Sequence, residues 1–184
     1  MNDRQDTKKD WASTLADSMR AVRARYDQLE RGKTAAIRRC RTADEVALEG
    51  IYWKVGGALA HEQRYLPHVV LLFPLVAHGR RPRFSVGGYL RTQLGDADGA
   101  ALRFRRLLDC RDREELDHRL RGILKLAATD GAPVDWGVLG TDVLWFFAES
   151  DSVRRRWAQD FYAPMTRDVE PDTSREAAST NATG

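Results

Sequence analysis

Apolar residues recur along the first part of the chain at spacings of three and four, the period of a helix with one buried face. Trp11, Leu15, Met19, Val22, Tyr26 and Leu29 trace such a face, which predicts a helix over about residues 10–31 with Gly32 as its stop. A short basic helix is expected from about Lys33. Thr42 and Glu45 then have the spacing of a capping box ahead of Val46, Leu48, Ile51 and Val55, so a longer third helix should follow. Pro67 suits the first turn of another helix, and Pro74 inside the apolar run should bend or end it.

The pattern resumes after the basic loop from His78 to Arg83. Ser85 is placed to cap VGGYLRTQL and Gly95 to stop it. A helix over about residues 98–109 comes next, and Asp112 with Glu115 can start one whose Leu116, Leu120, Ile123, Leu124 and Ala127 share a face. Asp130, Gly131 and Pro133 break the chain. Asp135 can cap a helix carrying Leu139, Val143, Phe146 and Phe147, and Ser152 can cap a last one carrying Val153, Trp157 and Phe161. No alternating strand of useful length and no fixed-period repeat is present. The expected fold is all-α: two small helical bundles joined near residue 80, covering residues 1–79 and 80–163. Residues 164–184 hold two prolines and many small polar residues, and read as a disordered C-terminal tail.

Composition agrees with a folded chain. Of 184 residues, 42% are hydrophobic and 31% charged, enough to build a core and too polar for a membrane protein. The longest apolar stretch, Val69 to Ala77, is far shorter than the roughly 20 residues that span a bilayer. The N-terminal MNDRQDTKKD has none of the apolar character of a secretory signal, so a cytoplasmic location is expected. Cys40 and Cys110 read as reduced core thiols.

Charge is more informative in detail than in sum. The net charge is +3, but the tail carries −2, which leaves +5 on residues 1–163. From Arg20 to Arg41 the local excess is +6 over 22 positions. Of the 30 basic residues 25 are arginine, the side chain suited to bidentate phosphate contacts. A GC-rich genome gives the same bias, so composition alone does not assign it.

Catalytic and cofactor motifs fail on spacing. Gly32, Lys33 and Thr34 end like a phosphate-binding loop, but Asp27 stands where the first glycine is needed and no strand precedes it. His61 and Glu62 start like a zinc protease, but Tyr65 takes the place of the second histidine. His61, His68, His78 and His118 do not combine with either cysteine as zinc ligands. Asp112, Glu114, Glu115 and Asp117 cluster, yet two of them sit where a helix start favours negative charge. Asn181 to Thr183 match a glycosylation acceptor, which has no meaning without secretion. No cofactor, metal or catalytic constellation is expected.

The basic residues do form a pattern. Arg38, Arg39 and Arg41 follow Ala35, Ala36 and Ile37, so one short helix buries apolar groups and directs guanidinium groups outward. Arg103, Arg105 and Arg106 share a helix with Phe104, Leu107 and Leu108. On the next helix, at about 100° per residue, Arg119 lies about 85° from the apolar centre, Arg121 about 115° and Lys125 about 155°. Arg119 should therefore flank the core, Arg121 should face solvent and Lys125 should be a solubility charge. Arg154, Arg155 and Arg156 add a third run, and the three runs together suggest a groove for a phosphate backbone. The aromatics, among them Trp136, Trp145, Trp157, Phe104, Phe146 and Phe161, sit at core spacing, which favours packing over base stacking.

Gly32 to Arg39 (GKTAAIRR), Phe84 to Leu90 (FSVGGYL), Arg103 to Leu108 (RFRRLL), Leu120-Arg121 followed by Val134-Asp135-Trp136, and Trp157 to Tyr162 (WAQDFY) occur in an order that resembles the CasB family, the small subunit of the type I-E CRISPR complex Cascade. The resemblance runs over most of residues 10–163. It implies two small helical bundles and a non-catalytic protein, paired head to tail with a second copy among other Cascade subunits. Such a subunit lies beside the guide RNA and target DNA and helps hold the displaced strand. Carried over by motif, the foremost binding residues are Arg39, Arg103 and Arg121, followed by Arg38, Arg105, Arg106, Lys54 and Arg64. Gly88 departs from a basic residue often found there in the family, and Arg91 is the candidate replacement. Asp135 and Trp136 read as cap and core anchor. Two other readings stay open at this level: a free-standing helical DNA-binding regulator with a recognition helix, and a metal-dependent nuclease built on acids such as Asp112 and Glu115.

Overall fold

The computed structural model describes residues 3–79, 85–94 and 98–163. Eleven α-helices account for its regular structure among these residues: α1 (Asp3–Asp27), α2 (Arg31–Arg39), α3 (Ala43–Leu48), α4 (Gly50–Gly56), α5 (Ala58–Glu62), α6 (Leu66–Leu72), α7 (Val86–Leu94), α8 (Asp98–Leu108), α9 (Arg113–Thr129), α10 (Trp136–Trp145) and α11 (Ser152–Tyr162). A 3₁₀ turn, Phe73–Leu75, follows α6 where Pro74 prevents continuation. No strand forms among the described residues, and the sole β-type pairing is an isolated bridge between His78 and Val134. The fold is all-α. The tail from 164 to 184, the loop around Arg80 to Arg83, Gly95 and the Trp11 side chain lie outside the description.

Most of the caps are where the sequence puts them. Thr42 Oγ1 accepts from Glu45 N, Asp112 from Glu115 N at 2.8 Å, Asp135 from Gly137 N at 2.8 Å and Ser85 Oγ from Gly88 N at 3.0 Å. Glu45 and Glu115 complete their boxes one residue early, accepting from Arg41 N and Arg111 N.

Three expectations are corrected. Gly32 does not stop α1, which ends at Asp27, but lies in the first turn of α2. The long helix after Thr42 is broken at Glu49 into α3 and α4, leaving Leu48 86% exposed. Extended backbone at Glu49 lets the chain turn so that Val46 and Val55 both reach the core. Ser152 is the first helical residue of α11 rather than its cap, because Asp151 takes a left-handed φ of 48° to close the preceding turn.

α10 lies along α1, and α6 packs on α9, so helices from the two halves share one contiguous core. Leu15, Met19, Val22 and Tyr26 are the buried stripe of α1. Gly137 permits the close approach of α10, since a Cβ there would stand 2.8 Å from Ala16 O. Arg20 locks the pair with a two-pronged contact to Asp135, Nε to Oδ1 at 3.0 Å and Nη2 to Oδ2 at 2.9 Å. Below it the Arg23 guanidinium is buried against Tyr26, Phe73 and Trp136, donating to Phe73 O and Val76 O and pairing with Asp27. In the second half α7 packs on α11, with Gly87 against the Trp157 carbonyl, and the Phe104 and Phe161 rings stack at 4.2 Å.

Candidate nucleic-acid interface

α8 and α9 are both amphipathic, and Arg103, Arg105 and Arg106 on α8 and Lys125 on α9 point away from the core stripe. Phe104 and Leu107 are buried while Arg103, Arg105 and Arg106 are exposed. Where the polar flank of α8 meets that of α9, a groove of about 600 Å³ opens, lined by Arg103, Arg106, Arg119 and Lys125 over Leu90, Ile123 and Leu126. Four cations and no carboxylate line it. Arg119 is the half-buried member, held by Glu115 at 3.3 Å, and its Nε is buried with no hydrogen-bond partner. Among the described residues no acid pairs with Arg103, Arg105 or Arg106, and Arg105 points to a different side of α8 from the groove pair.

A second group forms at the turn between α2 and α3. Arg38 and Arg39 are exposed at the end of α2, whose inner side buries Thr34 and Ile37. Arg121 is at the surface but only half-exposed, and its Nη2 donates to Arg41 O at 2.9 Å across 80 residues of sequence. The reason is that the α2–α3 turn folds back over α9, which wheel geometry for α9 alone does not show. Cys40 sits between these groups. Burial pushes its thiol up, assisted by Glu49 and Glu45 and opposed by the charges of Arg39 and Arg121.

The remaining candidates stand apart. Lys54 is exposed on α4, and Arg64 covers the Tyr65 ring at 4.8 Å; neither lines the groove. Arg113, 3.4 Å from the centre of the same ring, donates to Val143 O and Leu144 O and is structural. Arg91 donates to Phe161 O, which ties α7 to α11.

The third basic run does not merge with the others. Arg154 donates to Cys110 O at 2.9 Å and lies over Phe146, while Arg156 pairs closely with Asp142. Asp142 also accepts from the buried Trp157 indole at 2.7 Å, and burial pushes its carboxyl up against the pull of Arg156 and Trp157. Among the described residues, Arg155 alone of the three stays exposed without a side-chain hydrogen bond or ion pair.

The acids proposed for a nuclease are similarly engaged. Asp112 and Glu115 serve the α9 start, and Asp117 lies 2.7 Å from His68 Nδ1, bridging α9 to α6. Burial pushes the Asp117 carboxyl up, opposed by His68. No group of three or more potential metal ligands gathers among the described residues. The two cysteines are free and buried, and burial pushes the Cys110 thiol up to about 11. Of the aromatics, Trp136, Trp157, Phe104, Phe146 and Phe161 are buried, whereas Trp145 is 38% exposed. No helix among the described residues is long and apolar enough to cross a membrane.

Sequence reasoning missed Lys125 as a groove residue. Its signal was present: Gly122 and Leu126 on the same flank mark a second contact surface of α9, the one α8 occupies.

Comparison with known proteins bears on this arrangement. The chain is similar in structure to the crystal structure of M. ruber CasB, with a TM-score of 0.61 and 22% identity over 79% of this chain and 90% of that one. No curated protein matches the chain significantly. The sequence model of the CRISPR-associated protein Cse2 family matches residues 28–162, a span that contains α2, the groove between α8 and α9, and the α11 motif. With a match over most of its length, the chain belongs to the Cse2 (CasB) family of type I-E CRISPR Cascade subunits.

Proposed function

We propose that this protein is a non-catalytic, nucleic-acid-holding small subunit of a type I-E Cascade complex. It supports the guide RNA and target DNA duplex and stabilises the R-loop by retaining the displaced strand, in antiviral defence. Other Cascade subunits and a second copy of the chain are its protein partners. The observation that carries this reading is the α8–α9 groove, where Arg103, Arg106, Arg119 and Lys125 converge and, among the described residues, only Arg119 has an acidic partner, Glu115. Guanidinium groups over a shallow apolar floor suit a phosphate backbone and read no sequence, so affinity should be weak in isolation and steeply salt-dependent. Strand exchange in an R-loop is nearly balanced, and a few such contacts are enough to tip it.

The test is an electrophoretic shift of labelled target DNA by guide-loaded Cascade, assembled with and without this chain at two salt concentrations. Omission should weaken R-loop retention and leave guide loading intact. Arg39→Ala and Arg103→Ala should each lower affinity several-fold for all sequences and flatten its salt dependence, with unfolding temperature unchanged. Arg121→Ala should do the same and lower the unfolding temperature slightly, because it also removes the bond to Arg41 O. If the chain joins no complex, or joins without changing retention, the reading is overturned.

A further inference from the structure

A second concavity borders the packed face of α2, on the flank that carries Arg31, Thr34 and Arg38. It is an open cleft of about 530 Å³ between α1, α2, the 3₁₀ turn and the loop after α9. Leu29, Leu75 and Pro133 supply its apolar wall, and Arg31 and Arg38 line it as well. These two arginines are seven residues apart on α2, so they share a face about 10 Å apart along the axis. Neither has an acidic partner among the described residues, and the cleft's one carboxylate, Asp27, is already paired with Arg23 at 2.8 Å. Tyr26, 4% exposed, lines the cleft, and its buried hydroxyl lies close to the Arg38 charge.

A partly apolar slot with two cations at its rim, neither of them held by an acid among the described residues, and a tyrosine hydroxyl beneath them matches an anionic, flat, partly polar ligand. We propose that the cleft takes one nucleotide of a bound single strand: the base enters between Leu29, Leu75 and Pro133 above the Tyr26 hydroxyl, and Arg31 and Arg38 hold the flanking phosphates. The volume is within the range of sites that bury small molecules. This inference rests on the nucleic-acid reading above and adds to it a place where a base, and not only the backbone, is held.

The experiment compares binding of the full-length chain to a fluorescent oligo(dT) and to an abasic oligonucleotide of the same length, at low salt. The base-bearing strand should bind roughly tenfold more tightly. Ala128→Trp and Ala77→Trp, two independent substitutions that fill the cleft without removing charge, should bring the ratio close to one and leave abasic binding unchanged. Arg103→Ala should weaken both strands equally and keep the ratio. Equal binding of the two strands by the unsubstituted chain, or a ratio that survives both cleft-filling variants, overturns the inference while the backbone-holding function stands. Cleft-filling variants that keep the ratio but impair Cascade assembly would assign the cleft to a protein partner instead. Failure of both oligonucleotides to bind, even at high protein concentration and low salt, would sink the nucleic-acid reading itself.

Discussion

Two arginine triplets of similar appearance, Arg103, Arg105 and Arg106 on α8 and Arg154, Arg155 and Arg156 on α11, have opposite fates in this fold. Both helices have 11 residues, and both bury an apolar stripe that includes an aromatic ring. The difference lies in what stands next to them. α11 passes the buried Asp142 carboxylate, the Cys110 carbonyl and the Phe146 ring, and two of its arginines turn inward to satisfy them. α8 faces the basic flank of α9, where Arg119 and Lys125 offer nothing to bond. An arginine run is therefore free to meet a partner only where the neighbouring elements leave its charge uncompensated. The N-terminal excess divides the same way: Arg20, Arg23 and Arg25 on α1 are tied to Asp135, Phe73 O and Val55 O, while Arg31, Arg38 and Arg39 on α2 have no acidic partner among the described residues.

The most severe way to break this contrast is at Asp142. Its replacement by alanine leaves the buried Trp157 N–H without an acceptor and removes the partner of Arg156. Asp142→Ala should cost about 3 kcal/mol of stability in urea denaturation, with no loss of nucleic-acid affinity in the folded protein. Replacing Arg103, Arg105 and Arg106 together by alanine should do the reverse, since exposed side chains of this kind each contribute within about 0.5 kcal/mol to folding. Equal destabilisation by both variants would mean that the α8 triplet is structural as well.

A smaller effect sharpens the comparison on α1. Burial raises the Asp135 carboxyl, but the Arg20 hydrogen bonds and the Gly137 N–H together hold it below its ordinary 3.8. A group depressed in the folded state adds stability that is complete above its unfolded value and vanishes as pH falls through the folded one. Asp135→Asn keeps a capping oxygen and removes the charge, so it should cost about 1 kcal/mol at neutral pH. The stabilities of the two proteins should converge once the pH falls well below 3.8. A constant gap across that range would show that the Arg20 contact contributes no charge-dependent stability.

The helices were legible wherever a periodic apolar stripe and a cap agreed, as in α9, where Asp112 and all five predicted apolar positions behave as the pattern demands. Legibility failed where the chain turns for tertiary reasons. Nothing local at Glu49 announces the break between α3 and α4, and Asp151 takes up a left-handed conformation that a serine cap signal at Ser152 hides. For the candidate site, the exposure of Arg38, Arg39, Arg103, Arg105 and Arg106 followed from helix geometry. The roles of Arg121 and Lys125 did not, because both depend on which element covers the flank of α9: the α2–α3 turn on one side and α8 on the other. A single helix wheel finds the face that meets the main core and is blind to a second neighbour.

The finest comparison is between two single cations, Lys125 and Arg155. Both are exposed, both sit on the polar side of an amphipathic helix, and neither should alter stability by more than about 0.5 kcal/mol when changed to alanine. They differ in place, since Lys125 stands on the rim of the groove with three arginines and Arg155 lines no part of it. One phosphate contact contributes about 0.7 to the slope of log affinity against log salt for a single strand and about 0.9 for a duplex. Lys125→Ala should therefore lower that slope by a little under one unit in the assembled complex, and Arg155→Ala should leave it unchanged. If the two substitutions shift the slope equally, the strand is attracted by the total positive charge of the subunit and not by the groove, and α8 and α11 would differ in packing alone.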